Sequence, residues 1–170
     1  INKTVKFKAK FPSYLFINYN NFAEVFLKIE KKIYTEDSTP EEIKLLRERV
    51  TKLKSGILYY QEAPTISLFQ LDIMWGKVQE LSLDLPKFDF IIDLTGIERP
   101  NAEIRDHIKK KLLAYKSRFD QIYIVYGKDR LLLFTVKFIM HYTGLENVNL
   151  KPTMEEVMLE IEAREKNGQG

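Results

Sequence analysis

The sequence predicts an α/β fold: a mostly parallel sheet with an N-terminal hairpin and flanking helices, preceded by a strand-and-helix extension. Three observations carry this. The runs Phe88–Leu94 and Ile122–Tyr126 are short and nearly continuously apolar, as strands buried on both faces are. Between them Ile104, Ile108, Leu112, Tyr115 and Phe119 recur at helical spacing behind Asn101, a good cap. Strand and helix then alternate again to the C-terminus, which requires crossover helices lying on a sheet.

The extension comes first. Val5, Phe7, Ala9 and Phe11 alternate with Lys6, Lys8 and Lys10, the period of a strand with one wet face. Pro12-Ser13 breaks the run, Tyr14 to Tyr19 resumes it, and Asn20 or Asn21 caps a helix with Phe22, Val25, Phe26, Ile29 and Ile33 on one face. Thr39-Pro40-Glu41-Glu42 is a capping box with proline at the first helical position. The stripe Leu45, Leu46, Val50 and Leu53 predicts that this helix continues to a stop at Gly56, and a boundary is placed near Ser55.

Beyond Gly56, Ile57–Gln61 and Ile66–Leu71 read as a hairpin around Glu62-Ala63-Pro64-Thr65, since Pro64 has no N–H for a ladder. A helix follows Asp72 and closes before Pro86. Asp129 caps a helix running to His141, with Gly144 as its closing residue. Val148–Leu150 is a short strand, Thr153-Met154-Glu155-Glu156 opens the last helix, and Lys166–Gly170 is a frayed tail.

Composition excludes more than it selects. The chain has 170 residues, 45% hydrophobic and 30% charged with a net charge of +3, enough for one compact domain or a domain plus an elaboration and too balanced for a polyanion binder. The absence of cysteine excludes disulfides, thiolate catalysis and Cys-rich metal centres, and fits a reducing, cytoplasmic setting. No apolar run approaches the roughly 20 residues of a membrane-spanning helix. A start at Ile-Asn-Lys is expected of a piece of a longer protein.

Residues from Gly56 to about Ala163 resemble the STAS family of bacterial anti-sigma-factor antagonists and anion-carrier cytoplasmic regions. The carrying residues are Leu71-Asp72, read as ending the second strand, Ile92-Asp93-Leu94-Thr95-Gly96-Ile97-Glu98 for the buried third strand and its loop, and Thr153-Met154-Glu155-Glu156-Val157 for the closing strand-to-helix step. The family often has a glycine where Phe69 stands. Its phosphoacceptor turn, Asp-Ser-Ser/Thr-Gly, corresponds to Asn101-Ala102-Glu103-Ile104, and Ala102 has no oxygen to take a phosphoryl group. A phosphate at a helix N-terminus is stabilised by the helix dipole; Glu103 puts a permanent carboxylate there instead. The resemblance therefore implies a non-enzymatic regulatory or scaffolding module in bacterial signalling, without the serine switch and without a cofactor. It binds another protein (a kinase, regulator or scaffold) through Arg99, Asn101, Ala102, Glu103, Arg105 and Asp106. The extension adds a dimerisation or sensor surface.

Two other readings follow from the residues. Asp93 ends a buried strand where α/β proteins place ligands, and with Glu98 and Asp106 suggests a metal-dependent hydrolase or receiver-like phosphotransfer site facing Lys151-Pro152. The bland reading is a carboxylate capping loop amides. Glu36-Asp37 is the one tandem acidic pair placed to complete a receiver cluster. A lipid or small-ligand domain is the third. No Gly-rich phosphate loop or nucleophile elbow is present, and His107 and His141 read as structural. Lys109-Lys110-Lys111, Lys116 and Arg118 form a basic face that could meet nucleic acid or anionic lipid, with a solvated helix face as the simpler account, and nucleic acid is not expected. Met74-Trp75 is core, or failing that an exposed apolar patch.

Overall fold

The computed structural model describes residues 32–54 and 56–168. The predicted extension hairpin and the helix from Asn20 lie outside them, as does the end of the tail. Helix α1 (Pro40–Glu48) starts as its capping box dictates: the Thr39 hydroxyl accepts from the Glu42 N–H at 3.3 Å and the Glu42 carboxylate accepts from the Thr39 N–H at 2.9 Å. The helix stops at Glu48 and does not continue to Gly56. Val50–Lys54 is instead strand β1, antiparallel to β2 (Ile57–Gln61), with Val50 opposite Tyr60. Val50 and Leu53 satisfy helical spacing, yet the glycine that was to end a helix closes a hairpin, with φ +77° at Gly56. Arg49 fastens the entry to it, donating to the carbonyls of Gln61 at 3.1 Å and Glu62 at 2.8 Å. The strand preceding Ser55 is thus laddered into the same sheet as the one following it, inside a compact unit that runs Lys31–Gly170.

The second correction follows from the first. Ile66–Leu71 is not a strand: α2 (Leu68–Leu81) begins there, capped by Ser67, whose hydroxyl accepts from the Gln70 N–H at 3.1 Å. Leu71-Asp72 sits within that helix. β3 (Phe88–Asp93), α3 (Ala102–Tyr115), β4 (Phe119–Val125), α4 (Arg130–Thr143), β5 (Val148–Lys151) and α5 (Met154–Lys166) follow in the expected order. A turn of 3-10 helix at Lys116–Arg118 ends α3 early, so Phe119 opens β4 rather than closing the helix.

The described residues form a five-stranded sheet in the order β1-β2-β3-β4-β5, antiparallel at β1–β2 and parallel elsewhere. Because each parallel strand is laid beside its predecessor in one direction, right-handed crossovers put α2, α3 and α4 on one face. Leu58, Tyr60, Phe90, Ile92, Ile122 and Ile124 point to that face and pack with Leu71, Met74, Trp75, Ile104, Leu112, Leu132 and Val136 in one core. Met74 and Trp75 are therefore core residues. The opposite face, with Ile91 and Tyr123, is met by α5, whose Val157 and Ile161 are buried.

Candidate functional site

The carboxyl ends of the parallel strands are where open α/β sheets place ligands, and two buried carboxylates stand there. Asp93 closes β3. Its Oδ2 accepts from the Tyr59 hydroxyl and its Oδ1 from the Thr95 N–H, both at 2.9 Å. Glu62, just past β2, accepts from the Tyr60 hydroxyl at 2.9 Å through Oε2, and from the Ala63 N–H at 3.0 Å and the Gln70 amide at 2.9 Å through Oε1. Sequence reading placed Glu62 in a turn and missed it. Its one signal was a carboxylate directly after a strand in an otherwise apolar stretch.

Strand alternation sets the two acids apart. Asp93 follows Ile92, a residue of the α2–α4 face, and so points to the other face with Tyr59; Glu62 is tied to Tyr60 and Gln70 on the α2 side. They do not form a paired acid–base site. Among the described residues no cluster of His, Asp and Glu has the arrangement of a metal site. Lys151, expected opposite Asp93, pairs with Glu160 of α5. Glu36 and Asp37 stand exposed in the turn before α1.

Burial pushes the Glu62 carboxyl above its ordinary range, more than its hydrogen bonds and Arg49 pull it down. As pH rises from the ordinary carboxylate range through that raised value, the folded protein holds a proton the unfolded chain has released, so this group removes stability with increasing pH. Glu62→Gln keeps an acceptor for the Ala63 N–H and cannot ionise. Urea unfolding between about pH 4.5 and 8 is expected to show the variant gaining on the parent as pH rises. Parallel pH profiles would show that Glu62 is not held as the acid.

Between the sheet and α2–α4, beside Tyr60 and Glu62, lies an apolar cavity of about 60 Å3 walled by Trp75, Phe90, Ile92, Ile97, Ile108 and Met140. A dry cavity of roughly 150 Å3 is the size that admits benzene. This space is a packing void; a wider, open groove of about 800 Å3 is lined by Pro40, Ile43, Lys44, Arg47, Thr51 and Lys77 of α1, β1 and α2.

The predicted partner residues lie on the β3–α3 loop and the first turn of α3. Gly96, at φ +79°, turns the chain, and the Glu98 N–H reaches the Pro64 carbonyl at 2.7 Å, holding the loop to the β2–α2 connection. Asn101 accepts from the Ile104 N–H at 2.9 Å and caps the helix. Glu98, Arg99, Asn101, Ala102, Glu103 and Asp106 are exposed, whereas Arg105 is half-buried and donates to the Pro100 carbonyl at 2.9 Å. The N-cap hydrogen bonds from the Leu132 and Leu131 N–H groups hold the Asp129 carboxyl below its usual range, with a smaller pull from the Arg99 charge.

Two members of the basic face, Arg118 and Lys111, turn to internal partners. Arg118 donates to the Ser82 carbonyl and to that of Leu85 at 2.8 Å and lies over Phe88 and Tyr115. Lys111 at 2.7 Å and His107 at 2.9 Å both meet Asp72, whose carboxyl, raised by partial burial, is held below its usual range by these two partners. His107 is a cross-helix tie, and His141 is exposed at the end of α4 with its ring against Tyr142. Comparison of the chain with protein-family models, with curated proteins and with solved structures finds no match.

Proposed function

We propose that the chain is a STAS-like, non-enzymatic module that binds a partner protein through the β3–α3 loop and the first turn of α3, in bacterial signalling and without the phosphoserine switch. The observation that carries this reading is how polar groups divide at the carboxyl edge. The buried carboxylates, Asp93 and Glu62, spend their oxygens on internal donors, while Arg99, Glu103 and Asp106 stand exposed on a loop and helix start pinned from behind by the Glu98 N–H and the Asn101 cap. Rigid presentation lowers the entropy cost of binding. The element order from β1 to α5 supports the resemblance. Leu71-Asp72 lends it less, being inside a helix.

Charge reversal at Glu103 tests the surface. Affinity capture of a partner from the source cell is expected to fall at least tenfold with Glu103→Lys, roughly 1.4 kcal/mol, and to be unchanged by Glu155→Lys in the equally exposed first turn of α5. Equal loss with both variants would remove the assignment to α3. The receiver or hydrolase reading makes its own demand: saturable magnesium binding or an acyl phosphate, lost in Asp93→Asn, would replace the present reading.

A further inference from the structure

Helix α4 is apolar on both sides. Leu132, Val136 and Ile139 point into the core, yet Leu131, Phe134, Phe138 and Tyr142 are 53%, 65%, 58% and 56% exposed. Their spacing places them on one outward stripe, roughly 16 Å long at 1.5 Å per residue. A contiguous exposed apolar stripe of this kind ordinarily marks an interaction surface. The stripe is ordered as a surface: the Phe138 and Tyr142 rings lie 4.5 Å apart, and Lys109 of α3 stands 5.5 Å over Tyr142 beside the exposed Leu113.

Charge says what covers it. α4 carries Arg130, Lys137 and His141 and no carboxylate; Lys128 precedes it, α3 adds Lys109, and the turn after α3 adds Lys116, which reaches the Gly144 carbonyl at 2.7 Å. Asp129 is committed to capping, accepting from the N–H groups of Leu131 and Leu132, and Glu146 lies past the helix end. A second copy packed on this face about a two-fold axis would set cations against cations. Thr135 and Met140, which line the internal cavity, are on the inner side of α4, so the outer stripe is separate from that cavity.

We propose that the outer face of α4, flanked by Lys109 and Lys116, docks an anionic lipid bilayer. The aromatic rings enter the headgroup layer and the surrounding cations meet lipid phosphates. The surface is separate from the α3 start and stands or falls independently of it.

Co-sedimentation of the full chain with phosphatidylcholine vesicles, with and without about 30% phosphatidylserine, is the test. Partition to the anionic vesicles is expected to be at least tenfold stronger and to weaken at high salt. It should fall at least tenfold in Phe134→Ser/Phe138→Ser and in Arg130→Glu/Lys137→Glu, and be unchanged in Leu45→Ser. All these side chains are exposed, so circular dichroism is expected to show each variant folded; the charge-reversed pair decides if the serine pair is not. Equal partition to neutral vesicles overturns the proposal, as does anionic binding that survives both double variants. Self-association, or binding of an acidic peptide, that depends on Phe134 and Phe138 in place of vesicle binding also overturns it.

Discussion

Replacing Phe90 by alanine is expected to cost about 3–5 kcal/mol, read as a lower urea midpoint at unchanged slope. Phe90 is fully buried at the centre of the α2–α4 face. Its ring is stacked on Phe119 at 5.5 Å and meets Trp75 at 5.6 Å, Tyr60 at 5.9 Å and Phe88 at 6.0 Å. Truncation strips the common neighbour from four rings held by β2, β3, β4 and α2, and the strands cannot close the gap without breaking ladder hydrogen bonds. Phe90→Leu should cost less, since most of the volume is kept. Phe134→Ala, on the outside of α4, is expected to stay within about 0.5 kcal/mol of the parent. A Phe90→Ala loss under about 1 kcal/mol would mean that this cluster is not the structural centre.

The contrast between Phe90 and Phe134 shows where sequence reading runs out. The helix starts at Thr39, Asn101, Asp129 and Thr153 were legible because a cap is a local event: one side chain and an amide two or three residues on decide it. β3 and β4 were legible because the runs Phe90–Ile92 and Ile122–Val125, buried on both faces, are continuously apolar. β1 was not. It is an edge strand of five residues, and Val50 and Leu53 suit a helix face and a strand equally until the pairing of Val50 with Tyr60 chooses. Ile66–Leu71 failed in the opposite sense: read as the second arm of a hairpin turned at Pro64, its short apolar run hid the Ser67 cap.

At the site, the loop-amide cap at Asp93 was legible, since the Thr95 N–H that meets its Oδ1 is only two residues on. That its other oxygen is taken by Tyr59, on a strand remote in sequence, was not, because it depends on the register of β2 against β3. The same holds for α4. Arg130, Lys137 and His141 mark an outer side of the helix, but apolar residues fall on both sides, so spacing alone does not separate Leu131, Phe134 and Phe138 from Leu132, Val136 and Ile139.

Arg164 is the place where remote pairing has the largest consequence after the aromatic core. It stands near the end of α5, donating to Asp89 Oδ2 at 2.6 Å and to the Tyr123 hydroxyl at 3.3 Å, with Asp120 at 3.6 Å. Asp89 opens toward the α5 face of the sheet, almost wholly buried, and its Oδ1 accepts from the Gln121 N–H at 3.1 Å. Burial pushes its carboxyl up, against the pull of Arg164. Arg164→Ala leaves that carboxylate without its cation, and a loss of about 3 kcal/mol is expected near neutral pH. The sign of the pH dependence is fixed by the same fact. Without Arg164 the folded-state value rises further above the unfolded one, so stability falls more steeply as pH increases, and the gap between variant and parent narrows toward acid, where Asp89 is protonated in both states. Asp89→Asn/Arg164→Met keeps the acceptor for Gln121 and removes both charges; it should recover most of the loss, since an apolar pair of similar volume often replaces a buried ion pair at little cost. A pH-independent gap, or a double variant no better than Arg164→Ala, would show that α5 is held by Val157 and Ile161 alone and that the charges contribute nothing to its seating.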